Sequence, residues 1–234
     1  MPNHVHNVLT VLGATVDECK KILNSIQDDE EGAGSISFQK IIPMPESLNI
    51  ESSSKTDQSL ELLLTMKNPD TPNYGLAKTE KKIFEATMER LNKNHFLTKY
   101  NGHLEPGVVE QLLENGMTVT AGRKALKNLL EYGATDWYDW RLNSWGTKWD
   151  AYDFGNEHLD YVVFNTAWST PLPVILELSK KHPLQQFELE FADEDGGVNC
   201  GSLIIENGEV IEDNSPEEGT KKAIEFASQL WEIE

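Results

Sequence analysis

Residues 159–191 read LDYVVFNTAWSTPLPVILELSKKHPLQQFELEF, a strand, a helix and a strand in succession. Leu159 to Phe164 is an apolar, β-branched and aromatic run of strand type. Ser169 or Thr170 is placed to cap a helix whose first residue is Pro171, where a missing N–H costs nothing. Lys180, Lys181 and His182 suit the negative end of that helix's dipole, and Pro183 prevents continuation. Phe187, Leu189 and Phe191 then alternate with Glu188 and Glu190, which predicts a strand with one buried and one wet face.

Downstream, Asp195-Gly196-Gly197 is a turn, and Ile204 to Ile211 holds Asn207-Gly208 between apolar runs. That dipeptide favours a two-residue type I′ hairpin. A final helix is expected from Ser215 as cap, Pro216 as first residue and Glu218 completing a capping box. Ala223, Phe226, Ala227, Leu230 and Trp231 form its apolar stripe.

Upstream the pattern occurs once more. Val5 to Leu12 is a strand broken by Gly13, and Thr15-Val16-Asp17-Glu18 is a capping box. Val16, Cys19, Ile22, Leu23 and Ile26 recur on one helical face. A turn from Asp28 to Gly34 leads to Ile36–Ile41, whose alternation predicts a half-buried strand ended by Pro43 and Pro45. Residues 46–60 are polar and serine-rich, as in a mobile loop, and helical signals follow at 60–66, 77–91, from Pro106 to Asn115-Gly116, and at 121–132 before Gly133. The expected fold is therefore α+β: a ferredoxin-like split βαβ antiparallel sheet with helices over one face and a C-terminal helix. Residues 1–45 and 136–234 form its two halves, and 46–135 are a helical insertion between them.

The charge is uneven. Residues 1–148 carry 20 acidic and 16 basic side chains, and residues 149–234 carry 19 and 4, so the net charges are −4 and −15. No Lys or Arg lies between His182 and Lys221. Such a surface repels phosphate backbones and anionic lipid, so direct nucleic-acid or membrane binding is not expected. There is no apolar run of membrane-spanning length, and Met1 to His6 lacks the basic and apolar regions of a secretory signal. Two cysteines, Cys19 and Cys200, do not make a disulfide framework. A cytoplasmic location is expected.

Five of the six tryptophans, Trp137, Trp140, Trp145, Trp149 and Trp168, fall within residues 137–168. The segment Trp140 to Ala151 reads WRLNSWGTKWDA, and Phe164 to Pro171 reads FNTAWSTP. With the opening Met1-Pro2-Asn3 and the acidic turn Ala192 to Gly196, these pieces resemble the YubB-like proteins of phages, plasmids and other mobile elements. The resemblance implies a ferredoxin-like domain and no particular activity. His4 stands where that family commonly has tryptophan, and Thr170 where proline is common.

Physically, Trp145-Gly146-Thr147-Lys148-Trp149 can present two indoles around a tight turn, with Lys148 over an indole face. Trp140, Asn143, Trp145, Gly146, Thr147, Lys148, Trp149, Asp150 and Trp168 are the candidate binding residues. The plainer reading, and the commoner fate of large aromatics, is that these tryptophans pack the insertion onto the sheet. Asp193, Glu194, Asp195, Glu206, Glu209, Glu212 and Asp213 are the candidate acidic surface. The acidic turn does not have calcium-loop spacing, and His4 and His6 share a strand face without a placed third ligand, so neither a metal nor a cofactor is expected. No Gly-x-Ser-x-Gly elbow and no glycine-rich phosphate loop occurs. The leading expectation is a non-enzymatic interaction protein with a basic host protein as partner, in its sharpest form a nucleic-acid mimic. A small-molecule or peptide binder built on the tryptophan turn and a metal-dependent hydrolase on the acidic turn are the alternatives.

Overall fold

The computed structural model describes residues 2–65 and 114–233. The described elements are β1 (His4–Leu12), α1 (Val16–Ile26), α2 (Phe38–Ile41), α3 (Ser54–Thr65), α4 (Val119–Tyr132), α5 (Trp137–Ser144), β2 (Tyr161–Ala167), α6 (Leu172–Lys181), β3 (Gln186–Asp193), β4 (Cys200–Glu206), β5 (Glu209–Asp213) and α7 (Lys221–Leu230). The expected helices at 77–91 and after Pro106 lie outside the described residues. The chain divides into two units, residues 1–43 with 141–234, and residues 44–140.

In the first unit β1 lies between β2 and β3 and is antiparallel to both, with Val8 opposite Val163 on one side and Glu190 on the other. β2 and β3 are therefore parallel to each other, joined by α6 and separated by one strand. This is the split βαβ arrangement expected from residues 159–191. β4 and β5 extend the sheet to the order β2-β1-β3-β4-β5, antiparallel throughout. Asn207 (φ 46°) and Gly208 (φ 84°) both turn left-handed, as a type I′ hairpin requires.

Helices cover both faces of this sheet rather than one. Val5, Leu9, Phe164, Phe187, Leu189 and Ile205 share one face and are buried. Phe38 of α2 meets Phe164 edge-on there, and α1 and α6 both contact α2. On the opposite face Val8, Val163, Ala192 and Cys200 pack against Ala223, Ala227 and Leu230 of α7. The apolar stripe of α7 needs its own sheet surface, and the small side chains Ala192 and Cys200 admit it.

Three local expectations are overturned in this unit. Residues 36–41 are not a strand: Phe38–Ile41 is a short helix, because the Asp150 carboxylate accepts the Phe38 N–H (2.7 Å) and the Ser37 hydroxyl (3.1 Å). Phe38 and Ile41, three apart, are both buried, as one helical face demands. The final helix is capped by Thr220, whose hydroxyl oxygen accepts from the Ala223 N–H, and not by Ser215. Glu218 is spent elsewhere, accepting the Asn199 N–H at 3.0 Å. Helix α6 has no side-chain cap: Thr170 donates to the buried Asn7 amide oxygen and Ser169 to the Gly146 carbonyl. The capping box of α1 forms as read, although Val16 is exposed.

The second unit begins with a 3₁₀ turn at Glu46–Leu48, and α3 starts at Ser54 where a loop was expected. Leu48, Thr56, Ser59 and Leu60 are buried, which gives this serine-rich stretch a core side. α3 packs against α4, whose Thr118 cap and left-handed Gly133 end are both in place. The buried Asn128 amide of α4 donates to the carbonyls of Ser47 and Thr135 at 2.8 and 3.0 Å.

Candidate functional site

The tryptophan segment begins on α5. Trp140, buried, is the last residue of the second unit, and Asn143, exposed, lies beyond it in the first. Trp145 is only 1% exposed and donates its indole N–H to the Ile42 carbonyl at 2.9 Å. It meets Phe38 edge-on at 5.8 Å, and the Arg141 guanidinium lies 4.9 Å from its ring. Gly146 is left-handed (φ 79°), and a Cβ there would sit 2.9 Å from the Pro173 ring, so the turn can close on α6 only as glycine. Thr147 is fully buried and donates to the Trp149 carbonyl at 2.7 Å. Asp150 accepts from Phe38 and Ser37, as above, and from its neighbour Ala151. Burial pushes its carboxyl up, while these hydrogen bonds pull it down.

The outer part of the segment is different. The Lys148 ammonium lies 4.9 Å from the ring centres of both Trp149 and Trp168. Trp149 leans edge-on against Tyr152, whose hydroxyl pairs with His4 Nδ1 at 2.9 Å. Burial, with Asp153 and Glu194 nearby, pushes the Tyr152 hydroxyl up to about 12. Trp168 is 40% exposed and left-handed (φ 75°), a conformation that costs a bulky residue on the order of 1 kcal/mol. Backbone bonds hold it there: its N–H donates to the Asn3 carbonyl and its carbonyl accepts from Asn199. The two tryptophans and the lysine thus form a surface stack that already contains its own cation.

The acidic turn is tied to the chain's start. The Asn3 amide donates to Asp193 (3.2 Å) and Asp195 (2.8 Å), and the Asn199 amide donates to the other Asp193 oxygen at 3.2 Å. Glu194 and His4 exchange bonds through a carboxylate and the backbone. Asp193 is buried, whereas Glu194, Asp195, Glu209, Glu212 and Asp213 are exposed and Glu206 is half-buried. Among the described residues no group of three or more His, Cys, Asp or Glu side chains is placed to hold a metal ion. No described helix is long and apolar enough to cross a membrane.

Both the tryptophan turn and the acidic turn thus belong to the unit built on the ferredoxin-like sheet. Residues 144–234 match the family model of the ferredoxin-like domain in Api92-like protein. The match takes in Trp145 to Asp150, Trp168, the acidic turn and β2 to α7. One solved structure is similar, the protein Api92 from Yersinia pseudotuberculosis, at 11% identity and a TM-score of 0.41 over 94% of this chain and 100% of that one. No curated protein matches the chain.

The matched domain is completed by residues outside the match: Asn3, which the sequence named only within the opening Met1-Pro2-Asn3, and Asn7, which it did not single out. Asn3 bridges two carboxylates of the acidic turn, Asp193 and Asp195. Asn7, fully buried in β1, donates to the Thr166 hydroxyl (2.9 Å) and the Val5 carbonyl (2.8 Å) and accepts from Thr170. An amide inside an otherwise apolar strand was the available signal for it.

Proposed function

We propose that this chain is a non-enzymatic interaction protein whose acidic C-terminal third engages a basic partner protein. The observation that carries the reading is β5: all five of its residues are exposed, and Glu209, Glu212 and Asp213 flank Val210 and Ile211 on the outermost strand of the sheet. An acidic sheet rim with apolar residues between the charges suits a protein that is basic and normally binds nucleic acid. In this reading the acidic face occupies that groove in place of DNA or RNA. The resemblance to proteins of phages and plasmids supports a host factor as the target, met in the cytoplasm. Capture from host lysate at about 50 mM salt is expected to recover a basic nucleic-acid-binding protein that added duplex DNA, RNA or higher salt releases. Recovery of no such protein at low salt overturns the reading.

The exposed, left-handed Trp168 favours a second reading, a binder of a small molecule or peptide bearing a cation that replaces Lys148 between the indoles. Choline is then expected to quench tryptophan fluorescence in the native chain and not in Trp168→Ala; an unresponsive native chain removes this reading. A metal-dependent hydrolase draws no comparable support, because amide donors already occupy both oxygens of Asp193.

A further inference from the structure

None of the five strands contains a lysine or an arginine. β3, β4 and β5 nevertheless carry Glu188, Glu190, Asp193, Glu206, Glu209, Glu212 and Asp213. Register sorts these carboxylates by face. On the face that carries α7, the row after Val163, Val8 and Glu190 runs Tyr161, Thr10, Glu188, Ile204, Glu212 from one edge to the other, and of these Tyr161 still packs against the α7 cluster. The next row includes Gln186, Glu206 and Glu209. Glu190, opposite Val8 and Ser202, stands where the helix's cover ends.

The charges on this face are poorly compensated from within. Glu188 accepts the Ser202 hydroxyl at 3.1 Å, and Glu206 accepts the Gln186 amide at 2.7 Å. Among the described residues no hydrogen bond or ion pair reaches the carboxylates of Glu190, Glu209 or Glu212. Glu206 and Glu209 stand directly opposite one another, an arrangement that destabilises a sheet. Glu188 and Glu190 are two apart on one face, and burial together with the Glu188 charge pushes the Glu190 carboxyl up. Guarding an open edge against self-association accounts for charges on β5. It does not account for Glu188 and Glu190, because β3 is the middle strand of the five. Local conflicts of this kind concentrate at surfaces that serve a function.

We infer that the half of this sheet face left uncovered by α7, centred on Glu188, Glu190 and Glu212, is the docking platform for a basic protein segment. Its arginines meet the carboxylates, and their aliphatic stems lie along the half-buried Ile204. The inference rests on the reading that the chain binds a basic partner, and it names the place. Phosphate-bearing occupants, DNA or an anionic bilayer, meet repulsion on the same surface.

The test uses the full chain and a fluorescein-labelled peptide of alternating arginine and leucine, followed by fluorescence anisotropy at about 50 mM salt. The triple variant Glu188→Gln, Glu190→Gln, Glu212→Gln is expected to weaken binding about tenfold or more. A control triple, Glu30→Gln, Glu31→Gln, Glu232→Gln, removes the same charge from exposed positions of the same unit and is expected to weaken binding by less than about threefold. Equal losses overturn the platform and leave the basic-partner reading standing. A native chain that does not bind the peptide overturns both. Binding of duplex DNA or phosphatidylserine vesicles that the platform triple abolishes also overturns the inference. Thermal melts verify that the variants fold, and Glu190→Gln against Glu30→Gln repeats the comparison with a smaller change.

Discussion

The first unit holds two chemically conspicuous regions, and they treat their conspicuous groups in opposite ways. In the tryptophan turn almost every polar group is consumed internally. Trp145 gives its N–H to Ile42, Thr147 to Trp149, Asp150 receives Phe38 and Ser37, and Lys148 lies against two indoles. On the sheet face below α7, Glu190, Glu209 and Glu212 have no such partner among the described residues. Rare residues in a cluster mark a site only when the fold leaves their chemistry unspent. By that measure the tryptophan turn is chiefly a joint, and the plainer glutamates are the better candidates for recognition.

The largest test of this contrast is Trp145→Ala. Removing a fully buried indole and leaving the Ile42 carbonyl without its donor is expected to cost about 3–5 kcal/mol in denaturant unfolding. Trp168→Ala, at the exposed end of the same turn, is expected to cost less than about 1 kcal/mol, since the indole is 40% exposed and its removal leaves no buried donor unpaired. Similar losses for the two would mean that the turn is one packed body and the contrast within it false. Next in size is Asp150→Ala, expected to cost about 2 kcal/mol because it strips the start of α2 of its acceptor. Asp150→Asn keeps an acceptor oxygen and is expected to recover about half of that loss.

The split βαβ core was legible because each element there carries its own signal: alternation in Phe187 to Phe191, Asn-Gly at the hairpin, Thr15 and Glu18 as a closed capping box. Where reading failed, the deciding partner came from far along the chain. Ile36–Ile41 has strand alternation, yet Asp150 caps it into a helix. Ser215, Pro216 and Glu218 spell a helix start, yet Asn199 claims Glu218 and the helix begins after Thr220. The candidate site divides the same way. The tryptophans were visible from composition, but whether an indole faces core or water depends on Phe38 and Ile42, which no local pattern reveals. Glu188 and Glu190 were legible as a wet face, and only strand order shows that they lie on the central strand.

The second unit offers an independent instance of a carboxylate whose charge the fold disfavours. Asp57 of α3 is pushed up to about 6, first by burial and then by the charges of Asp136 and Asp139. A raised carboxyl holds its proton more tightly in the folded state, so the stabilisation is complete below the unfolded value of about 4 and is lost as pH rises through the folded one. Allowing for solvent screening, α3 is expected to lose on the order of 1 kcal/mol of protection between about pH 4.5 and 7.5, read from amide exchange at residues 56–60. Asp57→Asn is expected to remove most of that pH dependence. An unchanged exchange profile would place the cause elsewhere in the unit.

The smallest expected effect bears most directly on the contrast. Glu190 is also raised, by burial and by Glu188, so its charge opposes folding and the opposition grows as pH rises through its folded value. Glu190→Gln is therefore expected to stabilise the chain at neutral pH, by no more than a few tenths of a kcal/mol, about the size left to a half-exposed charge after solvent screening, with the gain vanishing once the pH falls below the ordinary carboxylate range. Most substitutions destabilise, and a gain from deleting a native charge identifies a residue kept for something other than folding. A loss at neutral pH would instead show that the Glu190 carboxylate has a stabilising role inside the fold, and the distinction between a spent and an unspent region would fall with it.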